Sequence, residues 1–144
     1  MSLPDLFRID GYAAVVTGSG QGIGRGIAVG LAEGGADVVL SARRQSDLEE
    51  TARLVEATGR RAVIVAGDVR EDGMNDRLAQ AAIDSFGRLD VWVNNVGGSD
   101  DKATYTLLET SDEYWRTMLE INLTAAFLGV KAAVARMTEG GTII

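Results

Sequence analysis

The sequence predicts an α/β fold in which helices cover both faces of a parallel sheet. Five short apolar runs alternate with four longer amphipathic segments along the chain of 144 residues. The apolar runs are continuous rather than alternating with polar residues, which is typical of strands that are buried on both faces. Many of the 18 glycines stand between these segments, where tight turns and helix ends favour a residue without a Cβ atom.

The first half of the chain predicts three strands and two helices. A strand over residues 13–17 leads through a glycine-rich loop into a helix that ends at Gly34-Gly35. After a strand over 38–41, the capping-box pattern Ser46-Asp47-Leu48-Glu49 opens a second helix, and a third strand covers 62–66. The residues expected on the inward faces of the two helices are Ile23, Ile27 and Leu31, and then Leu48, Ala52 and Val55.

The second half predicts two further helices and two further strands. One helix begins at Asp72 or a neighbour and ends at Gly87, and a strand covers 91–93. A polar loop over 96–109 precedes the longest helix, which a capping box at 110–113 opens and which extends to about 137, and a fifth strand starts at 142. The expected inward residues are Met74, Leu78 and Ala81, and then Trp115, Leu119, Asn122, Ala126, Val130, Ala133 and Met137.

The composition excludes several functional classes. The chain has neither Cys nor His, so zinc fingers, Cys-ligated clusters, disulfides and Ser-His or Cys-His nucleophiles are not expected, and no metal site is predicted. A formal charge of −7 argues against nucleic acid as a partner. No signal peptide or apolar run of roughly 18 residues is evident, so we expect no membrane association and a cytoplasmic protein.

The loop between the first strand and the first helix has the composition of a phosphate site. It reads Thr17-Gly18-Ser19-Gly20-Gln21-Gly22-Ile23-Gly24, a T-G-x-x-x-G-x-G pattern rather than the strict G-x-G-x-x-G. Gly18, Gly22 and Gly24 would let a pyrophosphate approach the backbone closely, at the positive end of a helix dipole. The alternative is an ordinary flexible turn, whereas a Walker A loop is excluded because the chain has no Gly-Lys pair.

The residues around the second strand bear on the choice of cofactor. Asp37 precedes that strand, so it would lie roughly 13 Å from the glycine loop at ~3.3 Å per residue. Arg43 stands at the nearer end, where a guanidinium suits the 2′-phosphate of NADP and an acid would suit NAD or S-adenosylmethionine. We therefore expect NADP, with NAD as the second choice. The alternative is that Arg43 and Arg44 form a solvated surface pair.

These residues together resemble the short-chain dehydrogenase/reductase family, in the branch marked by T-G-x-x-x-G-x-G. The other local signals are Asp68-Val69 after the third strand, Asn94-Asn95-Val96-Gly97 after the fourth, and Asn122 in the long helix, although the family usually has Ala where Val96 stands. The resemblance implies a Rossmann-type doubly wound sheet with strand order 3-2-1-4-5. It also implies a single dinucleotide-binding domain over residues 1–144 that is incomplete at its C-terminus.

The resemblance implies a role for each motif. Ser19, Gln21 and Ile23 would line the cofactor phosphates and riboses, Asp68 and the backbone of Val69 would bind the adenine edge, Asn95 and Gly97 would flank the ribose, and Asn94 would brace the sheet. Independently, Asp68 and the asparagine pair follow strands at the sheet edge where doubly wound folds bind ligands. The alternatives are a turn-capping Asp68 and an Asx-turn at the asparagines.

Asn122 is the only catalytic candidate. A buried Asn in mid-helix is costly unless it is hydrogen-bonded, so a purely structural bond to a neighbouring carbonyl is an equal alternative. The resemblance implies that Asn122 helps to hold a water in a proton relay. The family's catalytic Ser is not found, nor is its Tyr with a Lys four residues later. The residues four positions after Tyr12, Tyr105 and Tyr114 are Val16, Glu109 and Met118.

The resemblance implies an NAD(P)-dependent oxidoreductase that transfers hydride between nicotinamide and a small carbonyl or alcohol substrate. This chain would supply the cofactor-binding part, would be inactive alone, and would belong to a homo-oligomer, a dimer or tetramer. One alternative is a catalytically inactive nucleotide-binding or interaction protein of the same fold, and another is a Rossmann-like protein such as a methyltransferase. The loop from Gly98 to Tyr105 is expected to border the substrate, with Tyr105 as a wall.

Overall fold

A parallel five-stranded sheet forms the centre of the computed structural model, which describes residues 6–99 and 106–144. The predicted substrate loop from residue 100 to Tyr105 lies outside the described residues. The strands are β1 (Ala13–Thr17), β2 (Asp37–Ser41), β3 (Ala62–Ile64), β4 (Val91–Val93) and β5 (Thr142–Ile143). Their order is β3-β2-β1-β4-β5, which confirms the predicted fold class and strand order.

Helices cover both faces of this sheet because successive strand residues point to opposite sides. The helices are α1 (Gly22–Gly34), α2 (Gln45–Ala57), α3 (Met74–Phe86), α4 (Asp112–Leu119) and α5 (Ala125–Val134), and a π-helical turn at Glu120–Thr124 joins the last two. Val16 of β1 packs in one core with α1 and α2. Its neighbour Val15 packs in a second core with α3 and α5.

The strand register brings four loops to one edge of the sheet. Thr17, the last residue of β1, lies beside Ser41, the last residue of β2. Val16 lies beside Val93 at the end of β4, and Leu40 lies beside Ile64 at the end of β3. The chain therefore leaves β1, β2, β3 and β4 at nearly the same level, and the segments that follow these strands meet above the sheet.

The predicted starts of α2 and α4 need correction. The N-cap of α2 is Arg44, and Ser46 lies inside the helix without a capping hydrogen bond, because Asp47 forms an ion pair with Arg44 at 2.6 Å. The start of α3, predicted at Asp72 or a neighbour, is confirmed, because Gly73 with φ of 75° directly precedes the helix. The N-cap of α4 is Ser111, whose hydroxyl accepts a hydrogen bond from the backbone N–H of Tyr114, one residue later than predicted.

The inward face of α1 consists of small residues. Gly24, Ala28 and Ala32 are buried, whereas Ile23 is 79% exposed, so the inward position predicted for Ile23 is wrong. Small side chains on this face let α1 lie close to the sheet. Ile23, the residue before Gly24, therefore lies outside the buried face. The inward residues predicted for α2, namely Leu48, Ala52 and Val55, are confirmed.

The long helix is broken and only its second part is buried. No residue of α4 or of the π-helical turn is buried, and Trp115 is 59% exposed, so most of the predicted inward stripe is wrong. The buried residues of α5 are Ala125, Gly129, Ala132 and Ala133. A Cβ atom on Gly129 would lie 2.7 Å from Nε1 of Trp92, so glycine is needed where α5 crosses β4.

The stretch Asp112–Val134 is long and apolar enough to cross a membrane by length and composition alone. The core helix of a soluble protein can meet the same criteria. Here Ala125, Ala132 and Ala133 belong to the core beside the sheet, which assigns this part of the helix to the fold.

Candidate functional site

A cleft of about 460 Å³ opens at the carboxyl edge of the sheet. All the predicted site residues except Ser19 and Asn122 line it, namely Gly18, Gln21, Gly22, Ile23, Gly24, Arg43, Asp68, Val69, Asn95 and Gly97. Other lining residues were not predicted to contact the cofactor and include Gly20, Arg44, Asp47 and Gly67. The site motifs thus converge at one edge of the sheet.

The glycine loop needs its glycines for backbone conformation and for close approach. Gly18 and Gly22 have φ of 66° and 54°, a region that other residues rarely adopt. A Cβ atom on Gly24 would collide with the carbonyl oxygen of Gly18 and lie 2.5 Å from Nδ2 of Asn95. The N–H groups of the first turn of α1 have no acceptor within the helix, so the loop offers donors and a positive dipole to an anion.

Thr17 and Asn95 hold the glycine loop against β4. The Thr17 hydroxyl donates to the carbonyl of Val93 at 3.2 Å and accepts the backbone N–H of Asn95 at 3.0 Å. The Asn95 amide donates to the carbonyls of Thr17 and Gly18 at 3.1 and 3.2 Å. Asn95 therefore braces the first glycine as well as lining the cleft. The sequence offered a signal for Thr17, a polar residue at the end of an apolar strand.

Ser19 does not reach the cleft. It is fully buried, its hydroxyl accepts the backbone N–H of Ser41 at 2.9 Å, and its own N–H donates to the carbonyl of Ser41 at 2.9 Å. These bonds tie the loop to the end of β2. The cofactor-lining position predicted for Ser19 is thus corrected to one beneath the cleft floor, because its short side chain points back into the sheet.

The two arginines after β2 have different surroundings. Arg44 forms an ion pair with Asp47 and donates to Oε1 of Gln21 at 3.2 Å, so it links the glycine loop to α2. Arg43 is exposed at the cleft and makes no hydrogen bond or ion pair with any residue that the structure describes. Arg44 is therefore engaged with neighbouring residues at the surface, whereas the exposed guanidinium of Arg43 has no partner among the described residues.

Asp37 lies at the opposite end of β2 from the cleft. Its carboxylate is buried and forms ion pairs with Arg60 at 2.8 Å and Arg61 at 2.7 Å. It is the first residue of β2 rather than the residue before it. The prediction that Asp37 is too distant to read a ribose is consistent with this position.

Asp68 is a charged lining residue with a partner of its own. Its carboxylate forms an ion pair with Arg70 at 2.7 Å and accepts the Arg70 backbone N–H at 3.0 Å, which is the turn-capping arrangement. The hydrogen bonds from the Arg70 side chain outweigh partial burial and hold the pKa of Asp68 below its usual 3.8, with a smaller contribution from Arg43. Asp68 is therefore ionised at neutral pH and able to accept a hydrogen bond from a ligand.

Asn75 supports the segment after β3. It is buried at the start of α3, and its amide donates to the carbonyl of Val69 at 2.8 Å. Asn75 had no predicted role, although a polar residue on the buried face between Met74 and Leu78 is a usable signal in the sequence. Asn94 similarly bonds to Trp92 Nε1 at 2.8 Å and to the carbonyl of Ile144 at 3.3 Å, which matches the bracing role that the resemblance implied.

Asn122 lies in the π-helical turn and is exposed, so its predicted burial is wrong. The reason is that α4 and the turn stand away from the sheet, with no buried residue. Its Oδ1 accepts the Gly98 N–H at 2.9 Å, and its Nδ2 donates to the carbonyls of Gly98 at 2.8 Å and Met118 at 3.0 Å. Asn122 thus ties the segment after β4 to the helix and does not line the cleft.

Two residues beneath the loop were also missed. Arg25 donates to the carbonyl of Gly20 at 2.6 Å and to the Thr51 hydroxyl at 3.1 Å. The Thr51 hydroxyl in turn lies 2.9 Å from the carbonyl of Ser19. Thr51 is fully buried and is a polar residue on the otherwise apolar inward face of α2, which is the signal the sequence offered.

The known proteins that this chain resembles are oxidoreductases or members of one dehydrogenase family. The family model of the short chain dehydrogenases matches residues 12–144. An uncharacterized oxidoreductase of Mycobacterium tuberculosis is 41% identical over 143 residues, which cover 97% of this chain and 53% of that protein. A short-chain type dehydrogenase/reductase from Mycobacterium marinum is 30% identical with a TM-score of 0.90, covering 99% of this chain and 58% of that one.

A carveol dehydrogenase from Mycobacterium avium, whose structure is a complex with NAD, is 33% identical with a TM-score of 0.88. The alignment covers 94% of this chain and 54% of that one. The chain therefore spans about half the length of the relatives it matches. Because the family model covers nearly all of it, the chain belongs to the short-chain dehydrogenase/reductase family.

Proposed function

We propose that this chain supplies the cofactor-binding part of an NAD(P)-dependent oxidoreductase acting on a small carbonyl or alcohol substrate. The observation that carries the proposal is the cleft, where a glycine loop at a helix N-terminus, the carboxylate of Asp68 and the amide of Asn95 share one edge of the sheet. The loop would hold the pyrophosphate, Asp68 and Val69 the adenine, and Asn95 and Gly97 a ribose. When bound, the nicotinamide would accept or give the hydride.

Titration calorimetry on the intact protein tests this proposal. We expect saturable binding of NADPH, weaker binding of NADH, and no binding of S-adenosylmethionine, because no acid stands at the carboxyl end of β2 to meet a ribose hydroxyl. Heat from S-adenosylmethionine alone would assign the cleft to methyl-transfer chemistry. Absence of heat with both nicotinamide cofactors would reject the proposal.

We also propose that the cleft prefers NADP to NAD, and the position of Arg43 supports this preference. Its guanidinium is exposed at the cleft, and a 2′-phosphate could accept two parallel hydrogen bonds from it. The carveol dehydrogenase of Mycobacterium avium was solved with NAD, a cofactor that has no 2′-phosphate. The role of Arg43 in this chain therefore has to be tested directly.

We expect Arg43→Asp to reverse the preference. The affinity for NADPH should fall about tenfold or more, because a charge-assisted contact becomes a repulsive one, while the affinity for NADH should hold or rise. The NADPH-to-NADH affinity ratio, measured by fluorescence titration, checks this. Arg53→Asp makes the same charge change on the exposed surface of α2 and should leave the ratio unaltered. An unaltered ratio in Arg43→Asp would rule out the 2′-phosphate role.

We propose four further properties, two of this chain and two of the intact protein. Asn122 would help to hold a water, which its structure supports because only one of the two Oδ1 lone pairs is used in the bonds described. The 144 residues alone would be inactive. The intact protein would be a cytoplasmic homo-oligomer, and the exposed apolar residues Trp115, Leu123 and Phe127 support assembly.

A catalytically inactive nucleotide-binding protein is the second candidate. NADPH oxidation by the intact protein with any carbonyl substrate would exclude it.

A further inference from the structure

Arg25 and Thr51 form a hydrogen-bonded chain beneath the glycine loop. The Arg25 Nε donates to the Thr51 hydroxyl at 3.1 Å, and that hydroxyl lies 2.9 Å from the carbonyl of Ser19. A second Arg25 nitrogen donates to the carbonyl of Gly20 at 2.6 Å. The carbonyl of Asp47, on the same helix as Thr51, lies farther from the hydroxyl at 3.1 Å. Two consecutive loop carbonyls are thus held on the side of α2.

These bonds fix the orientation of two peptide planes. In a trans peptide the N–H points opposite to the C=O of the same plane. A Ser19 carbonyl turned to Thr51 therefore turns the N–H of Gly20 away from it, and a Gly20 carbonyl turned to Arg25 does the same for the N–H of Gln21. Neither N–H donates to another group in the described part of the chain, whereas Gly20 and Gln21 both line the cleft.

Arg25 adds a charge to this arrangement. It is partly buried behind the loop and is not a lining residue of the cleft. Among the described residues its guanidinium bonds to neutral groups only, the carbonyls of Gly20 and Asp47 and the hydroxyl of Thr51. Since no carboxylate pairs with it, its positive charge adds to that of the α1 N-terminus near the place where an anion would bind.

We propose that Arg25 and Thr51 are positioning residues that turn the loop amides towards the pyrophosphate of the dinucleotide. This inference rests on the proposed function, because it assumes that the cleft binds such a cofactor. Neither residue touches the cofactor, so each acts through the conformation of the loop. The chemistry they serve is recognition of a diphosphate, distinct from the 2′-phosphate contact of Arg43.

The test compares three ligands on the intact protein: NADPH, ADP-ribose, which keeps the pyrophosphate, and adenosine 2′-monophosphate, which lacks it. The variants are Thr51→Val, which keeps the shape without the hydroxyl, and Arg25→Met. Thr51→Ser restores the hydroxyl. Thr58→Val and Arg53→Met are matched controls, because Thr58 bonds at the far end of α2 and Arg53 is exposed on its surface.

We expect Thr51→Val and Arg25→Met to raise the Kd for NADPH and ADP-ribose about fivefold to tenfold. The Kd for adenosine 2′-monophosphate, and all values for Thr51→Ser and the controls, should stay near those of the wild type. An unchanged Kd for NADPH, or an equal loss for all three ligands, would overturn the inference. Should Thr51→Val fail to fold, Arg25→Met decides alone. A wild type that binds no dinucleotide would reject the proposed function, and the inference with it.

Discussion

Replacing Gly24 with alanine is expected to abolish measurable dinucleotide binding. The new Cβ would meet the backbone carbonyl of Gly18 and lie 2.5 Å from the Asn95 amide, and the carbonyl cannot move without opening the loop. Overpacking of this kind costs roughly 1–3 kcal/mol of folding free energy and displaces the backbone. NADPH titration and thermal unfolding of the intact protein measure the two effects.

Gly26 and Gly30 lie on the same helix and provide controls, because replacing them with alanine is expected to raise rather than lower the unfolding free energy. A Cβ at either position meets nothing within 4 Å. Gly26→Ala and Gly30→Ala should therefore raise the unfolding free energy by about 0.5–1 kcal/mol each, because alanine is the better helix former, and should leave cofactor binding intact. If Gly24→Ala bound NADPH as these controls do, the close approach of α1 to the loop would have no part in binding.

Replacing Asp37 with asparagine is expected to destabilise the fold at a point far from the cleft. Asp37 is 3% exposed and its carboxylate bonds to the side chains of Arg60 and Arg61 and to the Arg61 backbone N–H at 2.9 Å. We expect a loss of roughly 2–3 kcal/mol, less than for a fully buried pair, because both arginines can return to water. Chemical denaturation measures the loss, and Glu50→Gln at an exposed pair should have little effect.

The same carboxylate predicts a pH dependence. Burial alone would raise the pKa of Asp37, but the Arg61 N–H and the two guanidinium groups outweigh it, so the pKa lies below the usual 3.8. A lowered folded-state pKa means that the stabilisation is complete above the unfolded-state pKa and is lost as the pH falls through the folded-state pKa. The difference in unfolding free energy between wild type and Asp37→Asn should stay constant at neutral pH and shrink below pH 3.8. A constant difference into that range would contradict the assignment.

The sheet could be predicted because its signal is local. A continuous apolar run such as 38–41 specifies a doubly buried strand whatever its neighbours are. The start of α2 could not be predicted in this way, because Ser46 offers a cap but the helix begins two residues earlier, with Arg44 as N-cap and an ion pair between Arg44 and Asp47 across the first turn. The long helix was predicted as one continuous helix with a single stripe of inward residues. The π-helical turn at Glu120–Thr124 interrupts the helical repeat, so the stripe does not continue across it.

The site residues that could be predicted are those whose role depends on the backbone. Gly18, Gly22 and Gly24 are needed for conformation and approach, and their spacing is visible in the sequence. Ile23 was predicted both to face the core and to line the cofactor, and only the second position agrees with its exposure. The bond from Arg25 to Thr51 joins residues 26 positions apart, and no local pattern indicates such a contact.

We propose that the cleft above β1 and β4 holds a nicotinamide dinucleotide by its pyrophosphate. Crystals of the intact protein grown with NADPH test it most directly. We expect the pyrophosphate within hydrogen-bond distance of N–H groups in the loop from Gly20 to Gly24, with the adenine beside Asp68 and the 2′-phosphate beside Arg43. A dinucleotide bound elsewhere on the protein, or one whose phosphates avoid the N-terminus of α1, would rule out this cofactor site.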